Sequence, residues 1–245
     1  MIIDGEKLAR EKEAQLKPKV KPGTKLAILV FKDDQAGQVY SRLKQEAGKR
    51  LGIEVITSSD TGKLTEWNQD ELIQGVMIQR PGYRGKEFEK QWAQLVETIV
   101  PSKDVDGLRE NSPFIQATVR AVEVILKTVP FRNGTEKIVV VGRGMVGRKL
   151  AVRLKGLELS SRDKDLKNKT READILISCT GREKLITAEM VKPGATVIDV
   201  GWPKGDVDFA VVKNVAGAIT PVPGGVGPVT VVCLLENLAN SRYTS

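Results

Sequence analysis

Hydrophobic positions along this chain recur with two spacings, and the spacing changes every ten to fifteen residues. DGEKLAREKEAQL, residues 4–16, has helical spacing; Leu8 and Leu16 help form its apolar face and Asp4 can cap its start. LAILVF, residues 26–31, is a short wholly apolar run and predicts a buried strand, closed by the polar turn KDDQAG. QVYSRLKQEAGKRLG returns to helical spacing, with Val39, Leu43, Ala47 and Leu51 expected on the core side and Gly52 at the C-terminus. A short strand is expected at residues 53–56. A polar passage follows, then ELIQGVMIQRPG predicts a strand ending at Pro81, and EFEKQWAQLVETIV an amphipathic helix. PSKDVDGLRENSP is rich in turn formers and predicts a loop, while ATVRAVEVILKTV predicts a helix linking two halves.

The second half repeats the alternation. IVVV, residues 138–141, predicts a buried strand. GLELSSRD predicts a second strand, LKNKTREA a helix or loop, DILISCTG a strand with a glycine end, and AEMVKPGATVIDVG a turn leading into a strand. Residues 212–228 are irregular in pattern, and VTVVCLLENLANS predicts a final helix. Strands alternating with helices predict an α/β fold with mostly parallel sheets.

The strand at 138–141 runs into Gly142, Arg143, Gly144, Met145, Val146 and Gly147, spaced G-x-G-x-x-G, and Arg148, Lys149 and Leu150 suit a helix start. In that context the first glycine permits a tight turn. The second lets backbone approach a pyrophosphate, and the third lets helix and strand pack closely. The end of the next strand decides the coenzyme, because an acid there suits a ribose 2′-hydroxyl and a base suits a 2′-phosphate. Here that end reads Ser160-Ser161-Arg162, with Glu158 earlier, inside the strand. Ser161 and Arg162, helped by Arg143, therefore predict NADP.

Composition narrows the chemistry. Among 245 residues there is no histidine, so acid–base work falls to Lys, Tyr or a carboxylate, and no metal site is expected. The formal charge of +8 fits either a solvated surface or an anionic ligand. Basic residues are spread out and few aromatics interleave with them, so no nucleic-acid stacking platform is expected. Cys179 and Cys233 lie in apolar surroundings and suit a reducing compartment. No apolar run approaches the roughly 18 residues of a membrane span, and no signal peptide is visible, so a cytoplasmic protein away from membranes is expected.

Three segments are specific. ADILISCTG (173–181), MVKPGATVIDVGWPKGDVDF (190–209) and ITPVPGGVGPVTVVCLLENLANS (219–241), with KDVDG at 103–107 and Tyr40-x-x-x-Lys44, resemble the methylenetetrahydrofolate dehydrogenase/methenyltetrahydrofolate cyclohydrolase family. The resemblance covers most of the chain and is strongest from about residue 173 onward. It implies two domains around a cleft: a smaller α/β folate-binding catalytic domain of residues 1–117 with 229–245, and a Rossmann-type NADP-binding domain of residues 118–228. It also implies a homodimer and tetrahydrofolate derivatives as substrates. Hydride would pass from the methylene bridge to the nicotinamide, and water would then open the methenyl ring.

By the same resemblance Lys44 does acid–base work, Gln79 holds Lys44 or a water, and Asp106 takes N–H bonds from the pterin edge. A lysine can act as a base near neutral pH only if burial or a nearby cation lowers its pKa. Tyr40 packs beside the folate, and the stiff loop containing Pro223, Gly224 and Gly225 approaches it closely. Thr180, Gly181 and Gly201 join the coenzyme site. Asp104 and Lys103 suit structural roles.

The chain also departs from the family. Its glycine turn is one residue shorter, and Lys149 stands for a proline. QATVRA (116–121) replaces P-C-T-P-x-G, Gly37 replaces a serine, and Gln79-Arg80-Pro81-Gly82-Tyr83 replaces Q-L-P-L-P. The stretch between the strand at 53–56 and GVMIQRP is short by about one helix. These changes leave open a dehydrogenase without the hydrolytic step; a non-catalytic NADP or folate binder and, from the basic charge alone, a nucleic-acid binder are the further alternatives.

Overall fold

A computed structural model of the protein describes residues 1–82, 85–129 and 135–241; Tyr83 lies outside them. The chain divides into two compact units, Met1–Ala9 with Thr118–Thr230, and Arg10–Ala117 with Val231–Ser245.

In the second unit, β1 (Lys25–Leu29) lies centrally in a three-stranded parallel sheet between β2 (Glu54–Ser58) and β3 (Gly75–Ile78). Helix α1 (Gly5–Leu16) begins where Asp4 accepts a hydrogen bond from the Lys7 N–H at 2.8 Å, as its capping position predicts. Helix α2 (Gln35–Leu51) ends on Gly52 in the left-handed conformation that glycine tolerates best.

The expected core face of α2 is corrected by the structure. Val39 and Leu43 are 41% and 42% exposed. The buried face is instead Gly37, Ser41, Lys44, Ala47, Gly48 and Leu51. A Cβ on Gly48 would lie 2.6 Å from Val55 on β2, so α2 approaches its sheet on a glycine, and the small residues beside it turn inward.

The polar passage after β2 is also corrected: it holds a helix, α3 (Lys63–Gln69), which buries only Leu64 and Trp67. Two apolar residues and a glycine at the N-cap give too little periodicity to announce it. Lys103 donates to the carbonyls of Trp67 and Asp70 at its end, both at 2.8 Å. Buried Asp104 accepts from the N–H groups of Leu108 (3.0 Å) and Arg109 (2.8 Å), so both residues are structural, as expected. Helix α4 (Lys86–Thr98) matches its amphipathic pattern, and helix α5 (Ala117–Leu126) follows the 101–113 loop.

The first unit is built on β4 (Ile138–Val141), β5 (Leu157–Leu159), β6 (Ile175–Ser178), β7 (Thr196–Asp199) and β8 (Ala218–Ile219). They form one parallel sheet in the order β5-β4-β6-β7-β8. β4, β6 and β7 are buried along their whole length, as unbroken apolar runs in a parallel sheet should be. Ile2 bridges Ile219 at the β8 edge, and the Ile3 N–H donates to the Ile219 carbonyl at 2.8 Å. Helices α6 (Met145–Leu154), α7 (Leu166–Arg171) and α8 (Phe209–Val212) complete the crossovers. Helix α9 (Val226–Asn240) starts earlier than its apolar run, with Pro228 in its first turn, where no N–H is needed. Among the described residues no helix is long and apolar enough to cross a membrane.

Candidate active site

In the Arg10–Ala117 unit, helical spacing and a strand end bring three of the expected residues together. Tyr40 and Lys44 are one turn apart on α2. Gln79 follows β3, its N–H bound to the Leu29 carbonyl of β1 at 2.8 Å. Lys44 is 2% exposed; its Nζ donates to Gln79 Oε1 at 2.6 Å and lies 4.0 Å from the centroid of the Tyr40 ring. Burial pulls the Lys44 pKa down to about 7, against the opposing pull of the Asp106 carboxylate. A near-neutral lysine is what proton transfer at physiological pH requires. An amide partner suits both protonation states, because it offers an acceptor to the ammonium and a donor to the amine.

Asp106 sits in the turn after Asp104, and its carbonyl accepts the Ala117 N–H at 3.2 Å. Gly107 beside it has φ 68°, and a Cβ there would lie 2.6 Å from the Gln116 nitrogen. Gly37 has a local reason as well. A side chain there would begin 2.0 Å from Asp34 Oδ2 and 3.0 Å from Gln79 Cγ, so the Asp34 carboxylate fills the space. Asp34 Oδ2 and Ser41 Oγ are buried without a hydrogen-bond partner.

In the Thr118–Thr230 unit the glycine turn has the geometry its spacing predicts. Gly142 has φ 129°, and a Cβ on it would lie 2.5 Å from the Cys179 carbonyl. A Cβ on Gly147 would lie 1.8 Å from the Gly142 carbonyl, so α6 packs on the turn itself. Around Gly144 there is open space, and Gly144 caps α6 with no side-chain bond to the helix N–H groups. An open N-terminus beside bare backbone fits a pyrophosphate. Neither Cys179 nor Cys233 is in a disulfide. Burial, with the charges of Asp206 and Glu158, pushes the Cys179 thiol up to about 12, which leaves it unreactive.

Around the strand ends, Arg143 pairs with Glu158 at 3.7 Å, and Ser160 Oγ accepts the Arg162 N–H at 3.2 Å. Two buried carboxylates were not singled out by sequence reasoning. Asp199 ends β7; its Oδ1 accepts the N–H groups of Gly201 (2.8 Å) and Asp206 (3.0 Å), and its Oδ2 accepts that of Val207 (2.9 Å). Asp206 Oδ2 accepts Ser178 Oγ (2.9 Å) and the Thr180 N–H (2.6 Å). Together they hang Thr180 and Gly201 on one loop. Their signal was present in the segment VIDVGWPKGDVDF, where the glycines mark the carboxylates. A Cβ on Gly201 would lie 2.7 Å from Asp206 Oδ1, and one on Gly205 2.6 Å from Asp199 Oδ2. Burial raises the Asp199 pKa to about 6, although three N–H donors favour its anion.

In the loop expected to face the folate, Pro223 follows a cis peptide bond and Gly224 has φ 95°. Gly225 is so close to Pro221 that a Cβ would lie 2.4 Å from its carbonyl. This loop belongs to the Thr118–Thr230 unit, whereas Tyr40, Lys44, Gln79 and Asp106 belong to the other.

Fold and sites define a two-unit α/β protein with a dinucleotide cradle on one unit and a buried lysine–glutamine pair on the other. Residues 3–106 match the catalytic domain of tetrahydrofolate dehydrogenase/cyclohydrolase, and residues 116–244 match its NAD(P)-binding domain. The chain belongs to this family. It is 36% identical to the Bifunctional protein FolD of Vesicomyosocius okutanii, across 96% of each chain. The bifunctional FolD enzyme from Campylobacter jejuni superposes with a TM-score of 0.87 at 30% identity, covering 100% of this chain and 99% of that one. The Trypanosoma brucei enzyme, solved with NADP and an inhibitor, gives a TM-score of 0.87 at 27% identity, covering 100% of this chain and 98% of that one.

Proposed function

We propose that this protein oxidises 5,10-methylenetetrahydrofolate to 5,10-methenyltetrahydrofolate with NADP and then hydrolyses the product to 10-formyltetrahydrofolate. The observation that carries this reading is the buried Lys44, with its pKa near 7 and its Nζ on Gln79, in a chain of this family. When bound, NADP accepts the hydride that leaves the methylene carbon. The glycine turn 142–147 holds the pyrophosphate on free N–H groups, Ser161 and Arg162 take the 2′-phosphate with Arg143, and Thr180, Gly181 and Gly201 border the nicotinamide. Tyr40 stacks on the folate ring, Asp106 accepts N–H bonds from the pterin edge, and the Pro223–Gly224–Gly225 backbone is a further folate-binding element.

For the second step Lys44, as the neutral amine, takes a proton from water while Gln79 keeps the amine and the water in line. The hydroxyl adds to the methenyl carbon. The carbinol O–H proton is lost as the C=O forms, and the ring C–N bond opens with the departing nitrogen taking a proton. The formyl group remains on the other nitrogen, and one proton is released to solvent. Residues 1–117 with 229–245 form the folate-binding domain and 118–228 the NADP-binding domain. A cytoplasmic homodimer belongs to the same reading and rests on the family resemblance; gel filtration with light scattering tests its dimeric part.

The deciding experiment measures NADPH formation from methylenetetrahydrofolate, and separately the disappearance of methenyltetrahydrofolate, for wild type and Lys44→Ala. Both activities in wild type and loss of hydrolysis in the variant are expected. Wild-type hydrolysis at the uncatalysed rate would leave a dehydrogenase alone, and no NADPH with either coenzyme would defeat the reading.

A further inference from the structure

At the coenzyme end of the sheet, β5, β4 and β6 are neighbours, so their C-terminal exits stand side by side. Arg182 lies just past the exit of β6, its N–H held by Thr180 Oγ1 at 3.1 Å. Its side chain reaches back to the exit of β5, where Nη1 donates to the Ser161 carbonyl at 3.2 Å. β4 lies between those two strands, so the guanidinium bridges the sheet edge beside the glycine turn. In folds of this type the residues just after the strand next to the glycine turn read the ribose 2′ position.

The charges around it are unbalanced. Three acids on these segments already have cations: Glu158 has Arg143 (3.7 Å), Asp163 has Lys169 (3.1 Å) and Glu183 has Lys204 (2.8 Å), while buried Asp206 is taken up by the Ser178 hydroxyl and the Thr180 N–H. Among the described residues neither Arg162 nor Arg182 is paired with a carboxylate. Two uncompensated guanidiniums thus flank Ser161. One hydrogen bond to a carbonyl leaves Arg182 most of its donors, which match two oxygens of one phosphate. A ribose hydroxyl offers neither the charge nor the paired oxygens.

We propose that Arg182 is a specificity residue for the 2′-phosphate of the dinucleotide, gripping it from the β6 side as Arg162 does from the β5 side. The proposal deepens the NADP reading of the 142–147 turn and rests on it. Its first test is calorimetric titration with adenosine 2′,5′-bisphosphate and with adenosine 5′-monophosphate, which differ only in the 2′-phosphate. Wild type, Arg182→Ala, Arg182→Lys and Arg162→Ala are compared.

Arg182→Ala is expected to weaken the bisphosphate about tenfold or more and the monophosphate less than about twofold, with Arg182→Lys in between. Steady-state kinetics should agree: KM rises for NADP and not for NAD, with kcat unchanged for both. Equal weakening of both nucleotides by Arg182→Ala would reduce the residue to a prop for Ser161, and no weakening of either would remove it from the site; each overturns the proposal. Wild type binding both nucleotides equally would also overturn it while leaving the cradle intact. Wild type binding neither would defeat the cradle reading itself. Selective loss in Arg182→Ala but not in Arg162→Ala would uphold Arg182 and remove Arg162.

Discussion

Lys44 and Gln79 come from sequence positions 35 apart and meet at 2.6 Å, ammonium nitrogen on amide oxygen, with the lysine almost wholly out of water. A cation this deep has the Gln79 amide dipole, the face of the Tyr40 ring and the charge of Asp106 to stabilise it, which is too little to hold its proton at the ordinary lysine value.

The pair sets a pH profile. Hydrolysis that uses the neutral amine of Lys44 should rise as pH passes through about 7 and level off above it. Gln79→Glu places an opposite charge on the ammonium, so the same rise should move to higher pH. Lys44→Arg should lose about 10²- to 10⁴-fold, the usual share of a general base. Rate measurements from acid to mildly alkaline pH decide this; a Gln79→Glu profile identical to wild type would mean that another group titrates.

The same burial predicts a stability signature. Lys44 has a folded pKa near 7 against 10.5 unfolded, so between those values the unfolded chain binds more protons. Stability should therefore rise with pH across that window and stay at its low plateau below it. Each tenfold of proton affinity is worth about 1.4 kcal/mol. Lys44→Met should be more stable than wild type at pH 6, with the gap closing toward pH 10.5, as read from urea midpoints.

The glycines of the coenzyme turn should separate fold from binding. Gly147→Ala puts a methyl 1.8 Å from the Gly142 carbonyl, so the helix must retreat, at about 1–3 kcal/mol. Gly144→Ala enters open space and should leave the melting temperature within a degree or two of wild type, because exposed surface changes cost under about 0.5 kcal/mol. It should nevertheless raise the KM for NADP, since the methyl occupies the approach to the pyrophosphate. Equal effects on stability would contradict the open space at Gly144.

Asp206 should matter more to stability than its partner hydroxyl. Asp206→Ala strands the Ser178 hydroxyl and the Thr180 N–H in a buried place, at about 1–3 kcal/mol for each group. Ser178→Ala removes only one bond and should cost about 1 kcal/mol. Asp199, raised to about 6 from 3.8, favours its protonated form in the fold, so its contribution weakens as pH rises between those values. Asp199→Asn should flatten that part of the stability curve, which chemical denaturation at a series of pH values would reveal.

Much of this protein follows from local rules. Runs such as IVVV and ILIS, short and bounded by turn residues, read as buried strands and are, and the glycine spacing after IVVV carries its own backbone geometry, visible in Gly142 and Gly147. The family resemblance, carried by the 173–241 segments together with KDVDG and Tyr40-x-x-x-Lys44, supplied the folate-side candidates. What local rules could not decide was which face of α2 turns inward, because its periodicity favours Val39 and Leu43 while close packing on Gly48 turns Lys44 inward. The short helix α3 was hidden because two buried residues make no pattern. The perturbed pKa of Lys44, the carboxylate staples at Asp199 and Asp206, and the reach of Arg182 to Ser161 depend on groups distant in the chain. Desolvation and hydrogen bonding act through space, so only the folded arrangement of β1, β3 and α2, and of β5 through β7, determines them.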